Sequence, residues 1–222
     1  MPSILTDLYD RLLQAYGHQN WWPAKSPFEV VIGAILVQNT SWKNVEKAIG
    51  NLARGDLLSV AELHDLPQDE LQELIRPAGY YRIKARRLRH LLDFLVDRYD
   101  GSLAAMFNTD LGTLRQELLG VHGVGPETAD SILLYAGNLP TFVVDTYTHR
   151  VLARHGWIDF DAVYDEIKEH FEDTLPQDAA LFNEFHALLV RVGHLHCRKT
   201  PRCEGCPLAE MLPKGGPLEP DG

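Results

Sequence analysis

Cysteine is scarce in this chain: there are three in 222 residues, all between positions 197 and 206. Disulfides therefore do not hold the bulk of the fold, and a reducing compartment is the default. Long apolar runs are missing too. No segment approaches the ~18 uninterrupted apolar residues of a membrane span, and residues 1–17 carry Asp7, Asp10 and Arg11 through their apolar positions, unlike a signal peptide. A soluble cytoplasmic protein with no membrane partner is expected. Positive charge is in deficit, 21 Lys and Arg against 31 Asp and Glu, for a formal net charge of -10. Taken alone, that balance argues against a polyanionic partner such as DNA. At 45% hydrophobic and 23% charged the composition is that of a globular protein, which excludes disorder and fibres. The length suits one large or two small domains.

Strict apolar/polar alternation is also hard to find, whereas apolar residues recur at three- and four-residue spacing, so the fold class is all-α. Ser3 caps a first helix whose Ile4, Leu8, Leu12 and Tyr16 share a face, and Gly17 stops it. Further helices are expected over 28–37, 42–52, from Pro67 onward, 82–99, 110–119, from Pro126 to about Tyr135, 161–174 and 179–192. Residues 213–222 read as a flexible tail.

Between two of these helices lies Leu118-Leu-Gly-Val-His-Gly-Val-Gly-Pro-Glu-Thr-Ala129. Gly123 and Gly125 let the backbone turn tightly around Val124, which can anchor in the core, and the helix opening at Pro126 offers amide groups to a phosphate. Standing alone, this is better explained by a plain glycine turn, since a short glycine pattern is a weak signal. Phe142-Val-Val-Asp145 then delivers one carboxylate ahead of a new helix, and locally Asp145 is equally well a helix cap.

Together, the hairpin and the Val-Asp run resemble the helix-hairpin-helix DNA glycosylases of the endonuclease III superfamily, over about Ser26 to Leu208. The resemblance implies a two-lobed helical fold with its active site in a cleft: a lobe at 24–136 ending in the hairpin, a second at 1–23 plus 137–210, and Asp145 as the catalytic residue. It also implies double-stranded DNA with damaged bases as partner, a monomer, and a place at the bacterial nucleoid. Breaking an N-glycosidic bond leaves positive charge on the sugar, which a buried carboxylate stabilises. Bifunctional members carry a Schiff-base lysine two residues after the hairpin's last glycine; here that residue is Glu127, so the expected enzyme lacks lyase activity.

The hairpin's Glu127 and Ala129-Asp130, with Trp21-Trp22-Pro23 and Val37-Gln-Asn-Thr-Ser-Trp42, resemble more narrowly the endonuclease III-like 3-methyladenine DNA glycosylases. By that resemblance Trp22 and Trp42 sandwich a flipped, positively charged base, Trp21 and Pro23 shape the pocket, and Gln38 is inserted into the duplex. The competing readings are a mismatch glycosylase for thymine, uracil or adenine, and a non-catalytic DNA-binding module.

Between Arg76 and His90 stand six Lys and Arg and no acid, beside Tyr80 and Tyr81. Tyr81, Arg82 and Lys84, with Gly123, Val124, Gly125 and Thr128 of the hairpin, are the expected DNA contacts. Cys197, Cys203 and Cys206 are spaced C-x5-C-x2-C, with Leu212 where superfamily members with an iron–sulfur cluster have a fourth cysteine. An all-cysteine cluster is thereby excluded. A site completed by His194 or His196, such as one for zinc, is the alternative to a metal-free loop, which is favoured because the chemistry requires no cofactor.

Overall fold

A computed structural model describes residues 3–220, and all regular structure among them is helical. The chain forms two units, one of residues 1–21 and 140–222, the other of residues 22–139.

In the 22–139 unit, α2 (Pro27–Leu36) is the helix around which the rest is built. Every residue from Phe28 to Leu36 is buried, as its nearly unbroken apolar sequence requires, and Ser26 caps it by accepting from the Glu29 amide. Packed against it or one another are α3 (Trp42–Arg54), α4 (Val60–Asp65), α5 (Gln68–Leu74), α6 (Tyr81–Tyr99), α7 (Leu103–Phe107), α8 (Leu111–Leu119) and α9 (Pro126–Ser131). The stripe Leu88, Leu91, Leu92 and Leu95 of α6 is fully inside. The helix from Pro126 does not run regularly to Tyr135: after Ser131 it widens into one π turn, Ile132–Ala136.

In the other unit, α1 (Ile4–Tyr16) has the expected Ser3 cap and Gly17 stop. It packs on α12 (Ala179–Leu195), which also carries α10 (Thr146–Arg154). The segment before α10 is extended and has no sheet to join. Its amides go to side chains of α11 (Tyr164–Thr174): Phe142 N–H donates to Glu172 Oε1 (2.7 Å) and Val144 N–H to the Tyr164 hydroxyl (3.4 Å). Phe142 is stacked on Phe171 at 3.8 Å and contacts Phe182 and Phe185 edge-on, a core of four buried rings. Truncating such a ring to alanine costs roughly 3–5 kcal/mol.

The chain end differs from the expected flexible tail. Leu218 N–H donates to Arg154 O (2.9 Å) and Glu219 pairs with the buried Arg154 guanidinium (3.0 Å), so the segment is tied down as far as Glu219. Asp221 and Gly222, the end of that tail, lie outside the described residues.

Candidate active site and nucleic-acid interface

Asp145 caps α10. Its Oδ1 accepts from the amides of Tyr147 (2.9 Å) and Thr148 (2.7 Å), and Oδ2 faces Nε2 of His186 at 3.7 Å. The side chain is 14% exposed. Burial alone would raise the carboxyl pKa, but His186 and the Thr148 amide outweigh it and hold the group below the usual carboxylate range. The result is an anionic carboxylate with one oxygen fixed by a helix terminus and the other turned away from it. Thr146, Tyr147 and Arg150 of α10, with Gly193, His194, Arg198 and Lys199, line an adjoining polar depression of about 370 Å³. Its cations were not singled out from sequence because they are scattered along the chain.

The hairpin turns as the glycines suggest. Val121 and Val124 are buried, and Val124 N–H donates to Val121 O (3.0 Å). Gly123 has φ +96°, and a Cβ there would lie 2.7 Å from Arg87 Cδ and nearer still to its Cγ. Gly125 is different: φ is -98°, the residue is exposed, and a Cβ would meet nothing within 4 Å. The fold itself does not require glycine at 125.

Several expected DNA contacts point inward. Lys84 is 2% exposed, and its Nζ donates to Leu36 O and Ala78 O, both at 2.8 Å. Its pKa is pushed down to about 8, by burial first and by Arg87 second. Lys84 is therefore a core clasp, a correction forced by the position of α6 against the end of α2. Arg89 is spent on the carbonyls of His64 and Leu66. Thr128 is buried, and its Oγ1 accepts from Gln38 Nε2 (3.0 Å). Gln38 also donates to Gly123 O (3.1 Å) and accepts from Arg87, so its amide is anchored to the hairpin instead of projecting as a free wedge. Val124 likewise offers only its backbone to a ligand. Arg82 and Arg86 remain exposed, and Arg76 and Arg82 flank the Tyr81 ring at 5.3 and 5.5 Å.

Tyr80 lies next to them. It is 67% exposed with φ +46°, a left-handed conformation that an aromatic residue rarely adopts. A Gly-Tyr-Tyr turn ahead of a helix was the available signal.

The aromatic cluster also departs from expectation. Trp22 and Trp42 meet edge to face, 5.0 Å apart at 88°. A base held between parallel rings needs about 7 Å, twice the ~3.5 Å contact distance, so the sandwich is not preformed. Tyr135, placed by the π turn, adds a third ring 5.1 Å from Trp22, and Gly33 of α2 leaves room for both indoles. Trp42 Nε1 is buried without a hydrogen-bond partner among the described residues, a donor suited to the edge of a base. Pro23 is exposed and Trp21, the last residue of its unit, is half-buried.

Among the described residues no three Cys, His, Asp or Glu are grouped to hold an ion. Cys197 Sγ takes Arg154 Nη1 at 3.6 Å, His196 Nδ1 donates to Arg202 O (3.0 Å), and His194 lies against the Tyr147 ring at 4.7 Å. The donor set thus does not fit the four-ligand site of an iron–sulfur or zinc protein.

Residues 32–177 match the model of a family described as HhH-GPD superfamily base excision DNA repair protein. A putative DNA repair glycosylase of Methanocaldococcus jannaschii is 53% identical over 94% of this chain and 96% of its own. Endonuclease III of Thermotoga maritima is 32% identical over 81% and 79%. Among solved structures, a non-covalent endonuclease III–DNA complex superposes with a TM-score of 0.80 at 26% identity, over 95% of this chain and 94% of that one. The 3-methyladenine DNA glycosylase MagIII of H. pylori, bound to 1,N6-ethenoadenine, gives 0.70 at 28% identity, over 86% and 95%.

Proposed function

Since the chain belongs to the HhH-GPD superfamily of base excision DNA repair proteins, we propose that it is a monofunctional DNA glycosylase. It acts as a monomer on double-stranded DNA and removes alkylated purines such as 3-methyladenine. The observation that carries the reading is Asp145, a carboxylate held anionic while mostly buried, with Oδ1 fixed by two amides and Oδ2 facing His186.

The chemistry follows from charge. An N-alkylated purine is already cationic, so the pair of electrons of the N-glycosidic bond leaves with a base that becomes neutral, and no strong general acid is needed. The sugar takes the positive charge, which Asp145 stabilises until water adds at the anomeric carbon and releases its extra proton to bulk solvent. An abasic site remains. The hairpin supplies no lysine, since position 127 is Glu, and Lys84 is sealed in the core, so no Schiff base forms to cleave the strand. Trp22, Trp42 and Tyr135 support the choice of base: a cationic ring gains cation–π attraction on an indole face, and the two tryptophans must part to admit it. Tyr80 is suited to stack in the space that a flipped base leaves. Bases released from methylated duplex DNA, identified by chromatography, test the proposal. Asp145→Asn is expected to lower release by roughly 100-fold or more while DNA affinity stays near that of the wild type.

A further inference from the structure

A helix cap needs one carboxylate oxygen, and Oδ1 of Asp145 fills that duty. Oδ2 has a different neighbour, Nε2 of His186 at 3.7 Å. His186 stands on α12, where it is 6% exposed. Seven residues further on the same helix, two turns away and so on the same face, Gly193 admits the ring of Tyr147; a Cβ there would come within 2.5 Å of Tyr147 Cδ1. One face of α12 therefore seats the first turn of α10 and confronts its cap with an imidazole.

We propose that His186 is a positioning residue for Asp145, its ring N–H aiming Oδ2 and keeping the carboxylate oriented toward the anomeric carbon. This rests on the reading of Asp145 as the glycosylase carboxylate. Histidine suits the task where Lys or Arg would not. An imidazole offers Oδ2 a single ring N–H whose direction is set by the packing of α12 on α10, whereas a permanent cation against Oδ2 would cancel the negative charge that the sugar's transition state requires. The low carboxyl pKa agrees with a donor on that side, since burial works in the opposite direction.

The test compares His186→Leu, which removes the donor, with His186→Gln, which keeps an N–H at similar reach. With enzyme in excess over duplex DNA methylated by dimethyl sulfate, His186→Leu is expected to release base about tenfold or more slowly with affinity for undamaged duplex within about twofold of wild type. His186→Gln restores most of the rate. Titration of the Asp145 carboxyl by ¹³C NMR gives a readout independent of turnover: its pKa rises in His186→Leu and stays near the wild-type value in His186→Gln. A wild-type rate in folded His186→Leu, or a Gln variant as slow as the Leu variant, overturns the proposal. Should wild-type protein release no base from methylated or mismatched DNA, the glycosylase reading fails. The carboxyl titration still decides the role of His186, and an unmoved Asp145 pKa refutes it.

Discussion

Lys84 shows how much one side chain's direction matters. In sequence it is one of six cations around a Gly-Tyr-Tyr turn, the pattern of a DNA contact; in the structure it joins the end of α2 to the turn before α6 through two carbonyls. A neutral amine has two N–H groups, enough for both bonds, which is compatible with a pKa near 8. The unfolded chain holds that proton to about 10.5, the ordinary lysine value. Between these values the unfolded state binds more protons than the folded one, so this residue's contribution to stability rises with pH, and it is flat below the lower value. The melting temperature of wild type relative to Lys84→Met is therefore expected to shift in favour of wild type as pH goes from 7 to 10. A difference independent of pH would contradict the assignment. Asp145 was legible because an apolar run ending in one carboxylate before a helix is a local pattern. His186 was not, because only the packing of α12 on α10 brings it to that carboxylate.

Helices were legible where caps and stripes are strong, as with Ser3 and Gly17, Asp110 and Pro126. The short α4 and α7 escaped notice, since each buries a single residue, Leu63 or Met106, and shows no periodicity. The π turn was invisible because the helical apolar spacing runs through it without a break. A Cβ at Gly137 would lie 2.7 Å from both Leu133 O and the Phe107 ring, so the chain has little freedom where that turn ends. The hairpin separates two roles of glycine. Gly123→Ala is expected to destabilise the protein by more than about 1 kcal/mol, through its positive φ and the overlap with Arg87. Gly125→Ala should leave stability within about 0.5 kcal/mol and weaken DNA binding, because the added methyl group stands only in the path of a ligand. Thermal melts with duplex binding assays on both variants check this. Wild-type DNA affinity in Gly125→Ala would remove the hairpin from the interface.

The formal charge of -10 describes the chain as a whole and conceals its distribution. Residues 159–178 hold eight acids and only Lys168, whereas Arg82 and Arg86 are exposed on α6, and Arg150, Arg198 and Lys199 line the depression next to Asp145. DNA binding through so few cations should weaken steeply with salt, and reversing Arg82 and Arg86 to Glu should lower affinity for all duplexes alike and reduce the salt slope by about one per arginine. An unchanged slope would place the phosphate contacts elsewhere. Of the three cysteines, Cys197 lies in a segment held by Arg154, which donates to its Sγ and to the carbonyls of Arg198 and Lys199. The central claim, hydrolytic removal of alkylated purines by Asp145, is tested most directly by one reaction on methylated duplex DNA, analysed for free bases and for strand integrity. Wild type is expected to release 3-methyladenine and leave uncut strands with abasic sites that form no borohydride-stable adduct with the protein, and Asp145→Asn to release almost none. Base release undiminished in Asp145→Asn, or a covalent adduct with strand cleavage in wild type, would contradict it.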